Sequence, residues 1–185
     1  MHVAITGSSG FIGSALVDFL TQEGHRVTRL IRAQPKPGAD AARWDPSTGF
    51  VEPRGLDGSQ ALVHLAGENI ASGRWTERKN AAIRESRVVG TRRLCESLTR
   101  LPIFPQTLVC ASAIGYYGDR GDERLTEESP SGSGFLAEAC REWEQATEPA
   151  LQHGMRVVNL LIGIVLSPTG GAMAILLQPF RLGLG

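Results

Sequence analysis

The chain carries no excess of charge: 19 Lys and Arg stand against 19 Asp and Glu in 185 residues. That balance offers no basic field for a nucleic acid and no polybasic patch for a membrane surface. Cysteine is scarce, with Cys95, Cys110 and Cys140 an odd number and no Cys-x-x-Cys pair. A disulfide framework is excluded, and no His, Cys and carboxylate spacing suggests a metal site. Cys110 falls in an apolar run and the other two in helical patterns, which predicts three buried thiols. No apolar run reaches spanning length and no signal peptide is present, so the expected setting is a reducing cytoplasm. At this length the chain is one domain's worth, able to bury about 70% of its unfolded surface.

Glycine, by contrast, is abundant at 22 residues, and its placement at the start is informative. Residues 3–13 read Val-Ala-Ile-Thr-Gly-Ser-Ser-Gly-Phe-Ile-Gly, an apolar strand entering a Gly-x-x-Gly-x-x-Gly turn and then a helix. Gly7 suits the tight turn out of the strand. Gly10 lets backbone approach a pyrophosphate, and Gly13 lets the helix pack close to the sheet. The helix N-terminus then faces the phosphates with free N–H groups and a positive dipole end. Any tight strand-to-helix turn can use a glycine triplet. Here the strand before, the helix after and a second strand within about 30 residues point to a dinucleotide.

The second strand, read over residues 25–32, says which dinucleotide. A NAD site places Asp or Glu at this strand's end to accept from the ribose 2′-hydroxyl. Arg32 stands there instead, and no carboxylate occurs before Asp40. A guanidinium fork suits a 2′-phosphate, so the expected cofactor is NADP(H). A solvated arginine at a strand end is the plain alternative.

Further along, strands alternate with helices. Residues 14–23 form a helix with Ala15, Leu16, Phe19 and Leu20 at apolar spacing. Residues 33–58 are a Pro- and Gly-containing loop in which residues 42–45 make a short third strand. Residues 61–66 form a buried parallel strand. Residues 75–101 form a long helix with Ile83, Val88, Leu94 and Leu98 inward. A strand over 107–113, a helix over 134–153 broken by Pro149, a strand over 156–166 and a helix from 171 to 180 complete the pattern. This alternation predicts an α/β fold with a doubly wound parallel sheet.

Three segments together carry a resemblance. They are Thr6-Gly7-Ser8-Ser9-Gly10-Phe11-Ile12-Gly13, His64-Leu65-Ala66-Gly67, and Ser112 with Tyr116-Tyr117-Gly118. They resemble the extended short-chain dehydrogenases/reductases, which include nucleotide-sugar epimerases and dehydratases. Ala66-Gly67-Glu68-Asn69-Ile70, Arg74-Trp75, Ser86-Arg87 and Gly170-Gly171-Ala172-Met173 narrow it to the atypical epimerase-like subgroup. The resemblance implies a Rossmann fold with the cofactor crossing the carboxyl ends of the strands. It puts Gly7, Ser9, Gly10, Phe11, Ile12 and Gly13 over the pyrophosphate, Arg32 at the adenosine phosphate, and Leu65, Ala66 and Gly67 along the ribose and adenine side. Ser112 would stand beside the nicotinamide, unless it is an ordinary strand-terminal hydroxyl. His64 has an equally plain alternative as a core histidine bonded to backbone.

Active members of that family use Tyr-x-x-x-Lys, in which the Lys lowers the Tyr pKa from near 10. Lysine occurs here only as Lys36 and Lys79, and tyrosine only as Tyr116 and Tyr117. Neither tyrosine has Lys four residues on, and Phe135 stands about where the family's Tyr would. Arg87 takes the place where extended members often carry Asn. By resemblance the catalytic candidates are Ser112, Tyr116 and Tyr117. Glu68 and Asn69 could orient a polar substrate, and Trp75 could close over it or simply pack. Glu123, Glu127 and Glu128 form an acidic, solvated loop.

Family members continue into a substrate-binding lobe, so the expectation is an NADP-binding domain over residues 1–185, with a truncated lobe beginning near 167. Two functions remain open. One is an NADP(H)-dependent oxidoreductase or epimerase-like enzyme for a small polar substrate such as a nucleotide sugar. The other is a non-catalytic NADP(H)-binding sensor.

Overall fold

The computed structural model describes residues 1–71 and 73–167, and beyond them residues 170, 171, 173, 177, 179, 180, 182 and 183. β1 (His2–Thr6), β2 (Arg26–Ile31), β3 (Ala41–Asp45), β4 (Phe50–Val51), β5 (Ala61–His64), β6 (Thr107–Ala113) and β7 (Arg156–Ile162) build one sheet in the order β4-β3-β2-β1-β5-β6-β7. All neighbours run parallel except the β3–β4 pair at one edge. The chain leaves β1 toward one edge and returns to β5 on the other side of it. The strand order therefore reverses between β1 and β5, and ligands of such sheets bind at that crevice.

The two sheet faces are covered by different helices. Side chains alternate along each strand, so Val3 and Ile5 of β1 go one way and Ala4 the other. Val3, Ile5, Val27, Ala61 and Val63 pack with Val17 of α1 (Phe11–Gln22). Ala4, Leu30, Leu62, Leu108 and Cys110 pack with Leu94 and Leu98 of α3 (Gly90–Leu98), reached through α2 (Glu77–Arg84). Trp143 of α4 (Phe135–Gln145) and Ala150 of α5 (Glu148–Gln152) close that side. The expected doubly wound α/β sheet is thus the fold observed. The three cysteines are free and buried, and burial raises the thiol pKa of Cys95 to about 12.

Several boundaries move. The loop over 33–58 holds not only β3 but also β4 and a 3₁₀ turn at Pro53–Gly55. The long helix is interrupted by a π-helical turn, Glu85–Val89, between α2 and α3. Ile83, Leu94 and Leu98 are buried as expected, whereas Val88, within the π turn, is only half-buried. The last strand stops at Ile162, and a two-residue strand, β8 (Leu166–Ser167), follows, bridged to Gly170 and Gly171. Helix α1 buries Gly13 and Val17 while leaving Ala15 and Phe19 exposed, because it leans on the sheet through the face that its glycine opens. Half of the residues of the helix expected over 171–180 lie outside the described residues.

Candidate functional site

The turn after β1 is built at close quarters. Gly7 has φ +66°, and a Cβ there would come within 2.7 Å of the Leu65 carbonyl carbon and 2.8 Å of the Ala66 nitrogen. A Cβ on Gly13 would run into the Gly7 carbonyl oxygen and lie 2.9 Å from Ser8 Cα, so Gly13 seats the helix on the turn itself. Gly10 donates its N–H to Gly7 O at 2.9 Å and is the N-cap of α1. Among the described residues no side chain caps that helix end, which leaves its first N–H groups for an outside acceptor.

Two cavities meet at this turn, sharing Gly7, Gly10 and Leu65. The larger, about 350 Å³, is lined by Gly7, Ser8, Ser9 and Gly10, by Leu30, Ile31 and Arg32 at the end of β2, by Trp44 and Pro46 after β3, by Leu65, Ala66, Gly67 and Glu68 after β5, and by Ser86. The smaller, about 230 Å³, continues toward Phe11, Ile12 and Gly13 of α1, Ala111 of β6 and Ile162 of β7. A glycine cradle, an uncapped helix end and a cleft crossing the strand ends fit a bound dinucleotide. Every residue expected to hold the cofactor borders one cavity or the other.

Arg32 is exposed and makes no hydrogen bond or ion pair among the described residues. Glu68, across the cleft mouth, is already engaged: Lys79 Nζ donates to its Oε1 at 2.6 Å, and Ser86 Oγ accepts its backbone N–H at 2.9 Å. The Lys79 bond holds its carboxyl below the usual range, with further help from the charges of Arg87 and Arg32. Asn69 accepts the Ala71 N–H at 2.9 Å in a local turn and does not line either cavity.

The expected catalytic residues Ser112, Tyr116 and Tyr117 line neither of these two cavities. Ala111 lines the smaller cavity, so by strand alternation Ser112 points to the opposite face. It is buried there and donates its hydroxyl to Glu144 Oε1 of α4 at 2.5 Å. Tyr117 gives its phenol proton to Thr126 O at 2.9 Å, and burial, then the nearby Glu127, raises its pKa. Tyr116 stacks edge-on against Tyr117 at 5.3 Å. Trp75 packs edge-on to Phe135 at 6.1 Å and donates its indole N–H to Ile70 O at 3.2 Å, with half its surface still exposed.

His64 is fully buried and belongs to a network, not to the cleft. Thr6 Oγ1 accepts N–H groups of Leu65 and Ala66 at 3.2 and 3.4 Å, so its own proton goes to His64 Nδ1, 2.7 Å away. Nε2 then carries the ring proton and donates to Thr91 Oγ1 at 3.0 Å, which also accepts the Trp143 indole N–H at 3.0 Å. Burial pushes the His64 pKa down to about 4. The core reading is the one observed, with threonine hydroxyls in place of backbone as partners.

The family model for the NAD dependent epimerase/dehydratase family matches residues 3–176. The chain belongs to that family. Among curated relatives, an epimerase family protein of Mycobacterium tuberculosis is 42% identical over 183 residues, covering 99% of this chain and 60% of its own length. The chain spans about 60% of the length of the curated relatives it matches. Among solved structures, a nucleoside-diphosphate sugar epimerase from Corynebacterium glutamicum is 46% identical with a TM-score of 0.83, covering 98% of this chain and 38% of that one. Human epimerase family protein SDR39U1, solved with NADPH, is 34% identical with a TM-score of 0.82, covering 100% and 61%. Within this family member, the cleft residues that sequence reading missed are Ser8, Leu30, Ile31, Trp44, Pro46, Ser86, Ala111 and Ile162. Trp44 was within reach, because every parallel strand of such a sheet delivers its carboxyl end to the same edge.

Proposed function

We propose that this chain is the NADP(H)-binding part of a short-chain dehydrogenase/reductase of the epimerase-like kind, acting in its whole form on a small polar substrate such as a nucleotide sugar. The observation that carries the reading is Arg32: an exposed guanidinium without a partner among the described residues, at the rim of the cleft, where a NAD site would hold a carboxylate. NADPH in the related human structure supports it. Gly7, Ser9 and Gly10 would cover the pyrophosphate with backbone N–H groups, Phe11, Ile12 and Gly13 would flank it, and Leu65, Ala66 and Gly67 would line the ribose and adenine side. The nicotinamide, when bound, supplies hydride transfer.

NADPH is expected to bind at least about ten-fold more tightly than NADH, since a charge-assisted hydrogen bond contributes about 1.5–3 kcal/mol. Arg32→Ala should bring the two affinities together. Calorimetric titration of both cofactors against both proteins checks this, and equal affinities in the wild type would overturn the reading.

A second reading, a non-catalytic NADP(H) sensor, is favoured by one observation: Phe135 occupies the first position of α4 against Trp75, where a proton-donating tyrosine would be needed. The 185-residue chain should accordingly bind NADPH yet transfer no hydride from labelled NADPH to nucleotide sugars or simple carbonyls. Turnover that survives Ser112→Ala, Tyr116→Phe and Tyr117→Phe would show that the chemistry lies on other residues.

A further inference from the structure

Behind the floor of the larger cavity lies a second cation. Arg87, in the π turn, sets its guanidinium where a side chain of Gly67 would stand: a Cβ on Gly67 would be 3.3 Å from Cζ and 3.4 and 3.5 Å from the two terminal nitrogens. One terminal nitrogen donates to Glu68 O at 3.0 Å and to Ile83 O at 3.5 Å, and the group lies 5.0 Å from the Trp143 ring centroid. The other terminal nitrogen and Nε have no acceptor among the described residues. No carboxylate lies within ion-pair distance of it there either. Burial already disfavours its charge.

The charges nearby do not cancel. Arg32, Lys79 and Arg87 all act on the single carboxylate of Glu68, and Lys79 alone takes its hydrogen bond. If Arg32 meets the 2′-phosphate, as the proposed function holds, one further cation is left uncompensated beside Gly67. A half-buried guanidinium held against an apolar ring keeps a high affinity for oxygen anions, because little water competes for its N–H groups.

We propose that Arg87 is a second anion-binding residue of this cleft, directing its free N–H groups past Gly67 to an oxyanion. That oxyanion is either the pyrophosphate of the dinucleotide or an acidic group on the substrate. This rests on the proposed NADP(H) site, and the two are separable by experiment. Wild type, Arg87→Gln and Arg87→Lys are titrated calorimetrically with NADPH, with adenosine 2′,5′-bisphosphate, which lacks the pyrophosphate, and with inorganic phosphate added to NADPH-saturated protein. Circular dichroism and thermal melting report the fold.

If the pyrophosphate is the partner, Arg87→Gln lowers NADPH affinity ten-fold or more and leaves the bisphosphate unchanged. If the substrate supplies the anion, both nucleotides bind as before, while saturable phosphate binding to the loaded wild type disappears in Arg87→Gln. Arg87→Lys keeps the charge without the fork and should fall between the two in whichever arm responds. It also carries the test should Arg87→Gln fail to fold. A lowered melting temperature with every affinity unchanged would make Arg87 only a brace for the Gly67–Glu68 loop and overturn the proposal, as would wild-type affinities in Arg87→Lys. Loss of bisphosphate binding by the wild type itself would instead count against the NADP(H) reading.

Discussion

Gly10→Val is expected to leave a folded protein that no longer binds a dinucleotide. Gly10 has φ −74° and ψ 172°, which any residue adopts, and a Cβ there would meet only Gly7 O, at 3.1 Å. The fold can accommodate that contact with a shift of a few tenths of an ångström. The branched side chain would then stand at the uncapped start of α1, in the space that both cavities share. NADPH affinity should fall by two orders of magnitude or more, while circular dichroism and the melting transition stay near those of the wild type. Gly13→Ala is the contrast. Its Cβ would strike the Gly7 carbonyl, so overpacking of about 1–3 kcal/mol lands on the fold as well as on the ligand. Normal NADPH binding by a well-folded Gly10→Val protein would mean that the turn is structural only.

The second large effect is a loss of stability in mild acid caused by His64. Its folded pKa, held down to about 4 by burial, lies below the 6.5 of the unfolded chain. Below pH 6.5 the unfolded state takes up a proton that the native state refuses. Stability is therefore fully present above 6.5 and declines as pH falls toward 4, by about 1.4 kcal/mol per pH unit from this group. Over pH 7 to 5 the wild type should lose on the order of 2 kcal/mol by this route. His64→Gln removes the titration, so it should be weaker at pH 7.5 but show a flatter slope. Urea unfolding of both proteins across that range separates His64 from His2, which burial also holds low, and from the carboxylates. Parallel slopes in the two proteins would refute the assignment.

Much of the architecture was legible because its causes are local. An apolar strand, a glycine turn and a helix in sequence dictate a βαβ start, and the nearly unbroken apolar run of β5 marks a strand buried on both faces. Arg32 could be placed because it ends the strand that the glycine turn itself defines. The chain by itself therefore determined the sheet, the cradle and the position of the first cation.

Tertiary structure decided which way side chains face and what they already hold. Ser112 reads from sequence only as a strand-end hydroxyl; strand alternation turns it toward α4, where it donates to Glu144. Glu68 reads as a free polar group until Lys79, eleven residues on, closes on it. Trp44, Ser86 and Arg87 come from segments whose local pattern signals only a strand and a helix. Trp44 and Ser86 reach the cleft, and Arg87 comes to stand against Gly67 behind it, because β3 delivers its end to the same sheet edge and because a π turn rotates residues 85–89 out of helical register. Such pairings depend on the summed geometry of packed elements, and no window of sequence contains it.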